Sequence, residues 1–187
     1  MVDARQLLAD LKKLRKRLED DLRQHHAASA GRAAVETDWR EARENRRTAD
    51  TFETFFGAAL DQAAVHWILA VVFLRFLEDN HLLDRPLISG PGERLEVAQL
   101  RMREHFRICP EDSEAEYLLA VLTDAERLPG LGGLYDPQHN PLFRLPVSGD
   151  GAIALFECFR ARDPATGELI HDFTDPDWNT RFLGDLY

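Results

Sequence analysis

The chain has 187 residues, of which 44% are hydrophobic and 30% are charged. These proportions are typical of a folded globular protein and exclude a disordered or collagen-like chain. The net charge of −10 argues against a nucleic-acid clamp that covers the whole surface, because phosphate binding needs a basic face. With only Cys109 and Cys158, the chain lacks a disulfide framework, which indicates a reducing, cytoplasmic compartment.

Basic side chains are concentrated near the start of the chain. Residues 1–47 hold 12 basic and 9 acidic side chains, whereas residues 48–187 hold 11 and 24. We therefore expect a charged helical arm over residues 1–47 and a helical body over residues 48–187.

The first helix of the arm is predicted over Asp3–His26, where leucines recur every three or four residues and form one stripe. The stripe is too short for an independent coiled coil, so we expect it to pack on the body or on a partner helix. Gly31 is expected to end this helix within a hinge of small residues. A polar helix should follow over residues 33–47.

The body is predicted to be built around a central helix over Thr51–Leu83, with a break near Gly57. Its longest apolar run, residues 63–74, is shorter than the roughly 18 residues that a membrane helix needs. We therefore expect a buried core helix.

Three further helices and one long loop are predicted in the rest of the body. A capping box of Ser113 and Glu116 starts one of the helices, and Ser148 or Asp150 is expected to start another. The predicted segments are helices over residues 95–109, 113–128 and 151–162 and an ordered loop over residues 129–151. The fold class is therefore all-α, a bundle of about five to seven helices with an ordered Pro/Gly-rich loop and an N-terminal helical arm.

The C-terminal residues begin an amphipathic pattern that is not completed. A short extended piece over residues 169–173 and a new helix from Trp178 precede it. We interpret the chain as a fragment of a longer protein that ends at the start of another region, and the apolar positions as a possible surface for domain docking. These positions are Phe182, Leu183, Leu186 and Tyr187.

No catalytic, cofactor-binding or metal-binding residue is predicted. Asn140-Pro141-Leu142-Phe143 lacks the second proline of the motif that holds a flipped adenine, and no glycine-rich loop after a strand precedes it. The chain has no CxxC and no HxxxH spacing for zinc. His171-Asp172 is only half of a metal phosphohydrolase signature, and Glu78-Asp79 is interpreted as a surface pair that aids solubility.

A local basic patch could nevertheless contact DNA phosphates. The alternative is an ordinary charged outer face, since acidic residues are interleaved with the basic ones. The candidate DNA-contacting residues are Lys12, Lys13, Lys16, Arg17, Arg43, Arg46 and Arg47.

Three stretches carry a resemblance to a known family: residues 59–83, residues 133–160 and the segment LIHDFTDPDWNTRFLGDLY at residues 169–187. They resemble the N-terminal region of the PglX family, adenine-specific DNA methyltransferases of the phage growth limitation, or BREX type 2, defence system. The resemblance covers most of residues 50–187, and residues 1–47 match only in their helical, charged character.

The resemblance implies a parent chain several times longer, in which the S-adenosylmethionine loop and the NPPY motif lie downstream. It implies no catalytic residue here, so this chain alone should be inactive and hold no cofactor. The implied role is a scaffold or docking module, with the remainder of the methyltransferase, DNA and other defence proteins as partners and no membrane. The alternative is a free-standing acidic interaction protein, either an adaptor or a DNA mimic.

Overall fold

Six α-helices make up most of the computed structural model, which describes residues 3–128, 131–132, 135–136, 138 and 140–175. Within these ranges the structure holds no β-strand, only an isolated antiparallel bridge between Arg162 and Leu169. The predicted all-α class is therefore confirmed. The helices are α1 (Ala4–His25), α2 (Ala30–Glu44), α3 (Phe52–Asp79), α4 (Arg94–Ile108), α5 (Glu114–Glu126) and α6 (Gly149–Arg160), and a short 3₁₀ turn spans Pro141–Phe143.

The leucine stripe of α1 packs on α3 and α6 of the body, one of the two placements expected for it. Asp3 starts the helix, because its side chain accepts hydrogen bonds from the backbone N–H groups of Arg5 and Gln6. The spacing of the leucines turns all of them toward α3 and α6. The buried positions are Leu7, Leu11, Leu14, Leu18 and Leu22.

The hinge between α1 and α2 differs from the prediction at Gly31, which does not end a helix. The second helix begins earlier than predicted, at Ala30, because Ser29 caps it. Gly31 lies in its first turn, where a Cβ atom would stand 2.6 Å from the carbonyl oxygen of Arg144. The missing side chain therefore lets α2 approach the loop that precedes α6.

The central helix α3 is continuous, so the predicted break near Gly57 is wrong. It packs against α1, α2, α6 and the 3₁₀ turn. Trp67 donates a hydrogen bond from Nε1 to the carbonyl oxygen of Leu145 at 3.1 Å, and the hydroxyl of Tyr135 donates to that of Ala70 at 2.9 Å. By length and composition α3 could cross a membrane, but the core helix of a folded domain has the same properties, and α3 packs against α1, α2 and α6.

The later elements follow the predicted start signals. Ser113 and Glu116 form the expected capping box of α5. Ser148, and not Asp150, caps α6. The backbone N–H and hydroxyl of Ser148 also donate to Asp21 of α1. The predicted helix from Trp178 lies outside the described residues.

Candidate functional site

A buried ionic cluster lies at the C-terminal end of α3. Arg75, Glu78 and Asp79 occupy positions i, i+3 and i+4 and are all 0% exposed. The interpretation of Glu78-Asp79 as a solubility feature is therefore wrong, because neighbouring segments fold over this end of the helix.

Glu78 holds the loop that follows α3. Its Oε1 accepts hydrogen bonds from the backbone N–H groups of Leu87 and Ile88 at 2.5 and 2.6 Å. Its Oε2 accepts from Ser89 at 3.1 Å and lies 3.5 Å from Nε of Arg75. Burial nevertheless raises the pKa of Glu78 to about 7, because the cost of desolvating the carboxylate outweighs the attraction of Arg75 and the three N–H groups.

Arg75 and Asp79 connect α3 to two distant parts of the chain. The Nη2 atom of Arg75 lies 2.6 Å from Oδ2 of Asp79, and its Nη1 donates to the carbonyl oxygen of Phe159 at the end of α6 at 2.8 Å. Asp79 also accepts a hydrogen bond from the backbone N–H of Phe173. Burial raises the pKa of Asp79 as well, against the opposing effect of Arg75.

Asn80, the next residue, adds further hydrogen bonds at this end of α3. Its Nδ2 donates to the carbonyl oxygens of Phe76 and Phe173, both at 2.9 Å. Its Oδ1 accepts from the backbone N–H of Asp175 at 2.9 Å. The end of α3 therefore binds backbone groups of Phe173 and Asp175, which lie in residues 171–175, and we call these residues the anchored segment.

The role that this cluster can play is structural. The carboxylates are enclosed by backbone donors and by Arg75, and they are fully buried, so a substrate cannot reach them. Removing one member would leave a buried charge without compensation, which is strongly unfavourable. The arrangement can hold the 87–89 loop, α6 and the anchored segment in one fixed relation.

His171, the first residue of the anchored segment, is buried next to α1. Its Nε2 lies 3.5 Å from Oδ2 of Asp10, at the edge of a groove of about 270 Å³ that Cys158 also lines. Burial lowers the pKa of His171 and raises that of Cys158 to about 11. A protonated thiol is a weak nucleophile, so burial disfavours Cys158 as a nucleophile in this groove.

The candidate DNA-contacting residues are all exposed. Four lie on the outer face of α1, where Lys13 pairs with Asp10 at 3.0 Å and Arg17 with Glu157 at 2.7 Å. Three lie at or just beyond the end of α2, and the guanidinium of Arg43 lies over Trp39. Acidic partners thus neutralise part of the patch. The predicted docking residues Phe182, Leu183, Leu186 and Tyr187 lie outside the described residues.

Comparison with known proteins gives one clear relationship. No protein-family model matches the chain. It is 39% identical, over 198 aligned positions, to a Streptomyces coelicolor protein described as adenine-specific methyltransferase PglX. This chain is a homologue of one part of PglX. The match covers all of this chain and 16% of PglX, so the chain spans about a sixth of its relative. No solved structure matches it.

The PglX match extends the resemblance deduced from the sequence. It includes residues 1–47, where the sequence had indicated only a similar helical and charged character. The buried cluster was missed, although Arg75 stands in the apolar stretch of α3 with acids at i+3 and i+4. That spacing was the available signal, since a charged residue is almost never fully buried unless it is paired.

Proposed function

We propose that this chain is the non-catalytic N-terminal helical domain of a PglX-type DNA methyltransferase. The parent would transfer a methyl group from S-adenosylmethionine to N6 of adenine in cytoplasmic defence against bacteriophage. This domain would act as a scaffold that fixes the position of the anchored segment relative to the helices. The match to a sixth of PglX favours this role over a free-standing acidic protein.

The proposal rests on the hydrogen bonds between the end of α3 and the anchored segment. Asp79 and Asn80 bind the backbone of Phe173 and Asp175. Backbone recognition holds the path of the chain and does not depend on the side chains of the segment. A rigid connection of this kind would give the catalytic region a defined orientation on the helical domain.

A chimeric enzyme tests this role. The matching region of Streptomyces coelicolor PglX is replaced by this chain, and adenine methylation is compared between the chimera and its Asn80→Ala variant. We expect the chimera to methylate DNA and Asn80→Ala to reduce methylation while the domain stays helical. This chain alone should show no methylation with S-adenosylmethionine.

Asn45→Ala is the matched control, because Asn45 is an exposed residue just after α2 whose amide donates a hydrogen bond to the carbonyl oxygen of Glu41. A chimera that methylates DNA equally well with Asn80→Ala would contradict the scaffold role. Methylation by the isolated chain would contradict its non-catalytic character.

Contact with DNA is a second candidate role, favoured by one observation. Lys12 and Lys16 are exposed on α1, and neither has an acidic partner within the described part of the chain. They are therefore available to phosphates. Binding of duplex DNA should weaken steeply with salt and be lost in the quadruple variant Lys12→Glu, Lys13→Glu, Lys16→Glu, Arg17→Glu. Salt-independent binding, or none, would contradict this role.

A further inference from the structure

Three side chains of metal-ligating type meet at the corner between α4 and α5. His105 belongs to the last turn of α4, Cys109 follows its end, and Asp112 precedes the start of α5. Their ligand atoms all lie within 4.8 Å of one another. We propose that His105, Cys109 and Asp112 bind a divalent transition metal of the zinc class and leave one coordination position to water.

The backbone of the corner holds these residues in place. The N–H of Cys109 donates to the carbonyl oxygen of His105 at 2.8 Å, which completes the helical turn. Pro110 cannot continue α4, and the N–H of Asp112 donates back to the carbonyl oxygen of Cys109 at 3.2 Å. The capping box at Ser113 then starts α5. The three ligands are thus fixed by elements on both sides.

The present geometry needs only small changes to accept a metal. Ligand atoms of a tetrahedral zinc site lie about 3.5 Å apart, given zinc bonds of about 2.0–2.3 Å. His105 Nε2 already lies 2.8 Å from Asp112 Oδ2, and the Cys109 sulfur lies within 4.8 Å of both side chains' ligand atoms. The imidazole is steadied by the ring of Tyr117, whose centroid lies 5.2 Å away.

The donor set selects the class of metal. A thiolate and an imidazole favour zinc and related transition metals, whereas magnesium and calcium prefer oxygen ligands only. A thiolate and a carboxylate together balance the charge of a divalent cation. All three side chains are half-buried, so solvent can reach the site and fill the fourth position. The spacing His-x3-Cys-x2-Asp is neither CxxC nor HxxxH, and for that reason the sequence motifs did not indicate it.

Cobalt(II) titration of the reduced, untagged chain tests the site. A thiolate bound to cobalt gives a charge-transfer absorption in the near ultraviolet. Cobalt bound by histidines alone, such as the adjacent His25 and His26, does not give this absorption. We expect the absorption to saturate at one cobalt per chain and to disappear when zinc is added.

The two cysteines supply a matched pair of variants. Cys109→Ser should abolish the absorption, and Cys158→Ser, at the other cysteine of the chain, should leave it unchanged. Loss of an outer hydrogen-bond partner of a metal ligand costs about 10- to 100-fold in metal affinity, so His105→Ala and Asp112→Asn should each cost at least about tenfold. Circular dichroism checks that each variant keeps its helices.

A second measurement is independent of absorption. Zinc should raise the melting temperature of the wild type and of Cys158→Ser but not that of Cys109→Ser, because a bound ligand stabilises the folded state. Absence of the cobalt signal in the wild type, or its persistence in Cys109→Ser, would overturn the proposal. His105 and Asp112 would then form only a hydrogen bond that stabilises the corner.

Discussion

The Oδ2 atom of Asp79 lies 2.9 Å from the backbone nitrogen of Phe173, a residue 94 positions later in the chain. The same oxygen lies 2.6 Å from Nη2 of Arg75. One carboxylate oxygen therefore joins the end of the core helix both to its own buried cation and to the anchored segment. Stability of the domain and placement of the segment are physically coupled at this point.

Arg75→Met should strongly destabilise the domain. The change removes the cation that compensates two fully buried carboxylates and leaves the carbonyl oxygen of Phe159 without its donor. Removing one partner of a buried ion pair costs about 3–5 kcal/mol. Urea denaturation followed by circular dichroism measures the free energy of unfolding.

The control for this change is Arg127→Met, since the side chain of Arg127 is 75% exposed and its pairing with Asp124 is a surface contact. Surface substitutions of this kind stay within about 0.5 kcal/mol. An equal effect of the two variants would mean that the cluster contributes nothing specific to stability.

Glu78 should make stability depend on pH in a defined direction. Its pKa is about 7 in the folded protein against an ordinary value of 4.5, so folding favours the protonated form. The contribution of Glu78 is complete below about pH 4.5, declines as the pH rises toward about 7 and is constant above. At about 1.4 kcal/mol per pKa unit, the decline amounts to about 3–4 kcal/mol.

Comparison of the wild type with Glu78→Gln isolates this effect, because glutamine does not titrate. The free energy of unfolding of the wild type, minus that of the variant, should fall between pH 4.5 and 7. A difference that rises with pH would show instead that Arg75 and the three backbone N–H groups dominate over burial.

Asn80→Ala should loosen the anchored segment without unfolding the helices. The variant loses the two bonds that join its amide to Phe173 and Asp175, each worth about 1 kcal/mol. Hydrogen exchange at the backbone amide of Asp175 should become faster, while exchange in the middle of α3 should stay as in the wild type. Unchanged exchange at Asp175 would mean that other contacts hold the segment.

Gly31→Ala and Gly57→Ala should change stability in opposite directions. A Cβ atom at Gly31 would clash with the backbone of Arg144, and overpacking of this kind costs about 1–3 kcal/mol. A Cβ atom at Gly57 would meet nothing within 4 Å, so alanine there should stabilise α3 by about 0.5–1 kcal/mol. Thermal unfolding of the two variants measures the direction of each change in stability. A stabilised Gly31→Ala variant would contradict the close approach of Gly31 to the backbone of Arg144.

Local signals in the sequence predicted the helices well and the packing of charged groups poorly. The leucine spacing of α1 and the capping box at Ser113 act within one or two turns, so they can be read directly. Gly57 was expected to interrupt α3, but the apolar contacts of that helix outweigh one unfavourable residue. The helical propensity of glycine is a local property, whereas the packing of α3 depends on residues that are distant in sequence.

The candidate site depends on contacts between residues distant in sequence. Glu78 is buried because the 87–89 loop folds back over it, and Asp79 because the anchored segment passes beside it. Neither partner segment can be recognised from the sequence, because both contribute backbone N–H groups, which every residue but proline possesses. The PglX resemblance identified the relationship but could not reveal these bonds.

The burial of the α1 leucines has a consequence for the lysines on the opposite face of that helix. Because Leu11 and Leu18 are packed in the core, the backbone positions of Lys12 and Lys16 are fixed. These lysines therefore differ from lysines on a flexible tail. Any anion that meets them would encounter a charge pattern already in place, so capture would cost little chain entropy. A ligand that binds both lysines would have to fit the fixed spacing of side chains four residues apart on this helix.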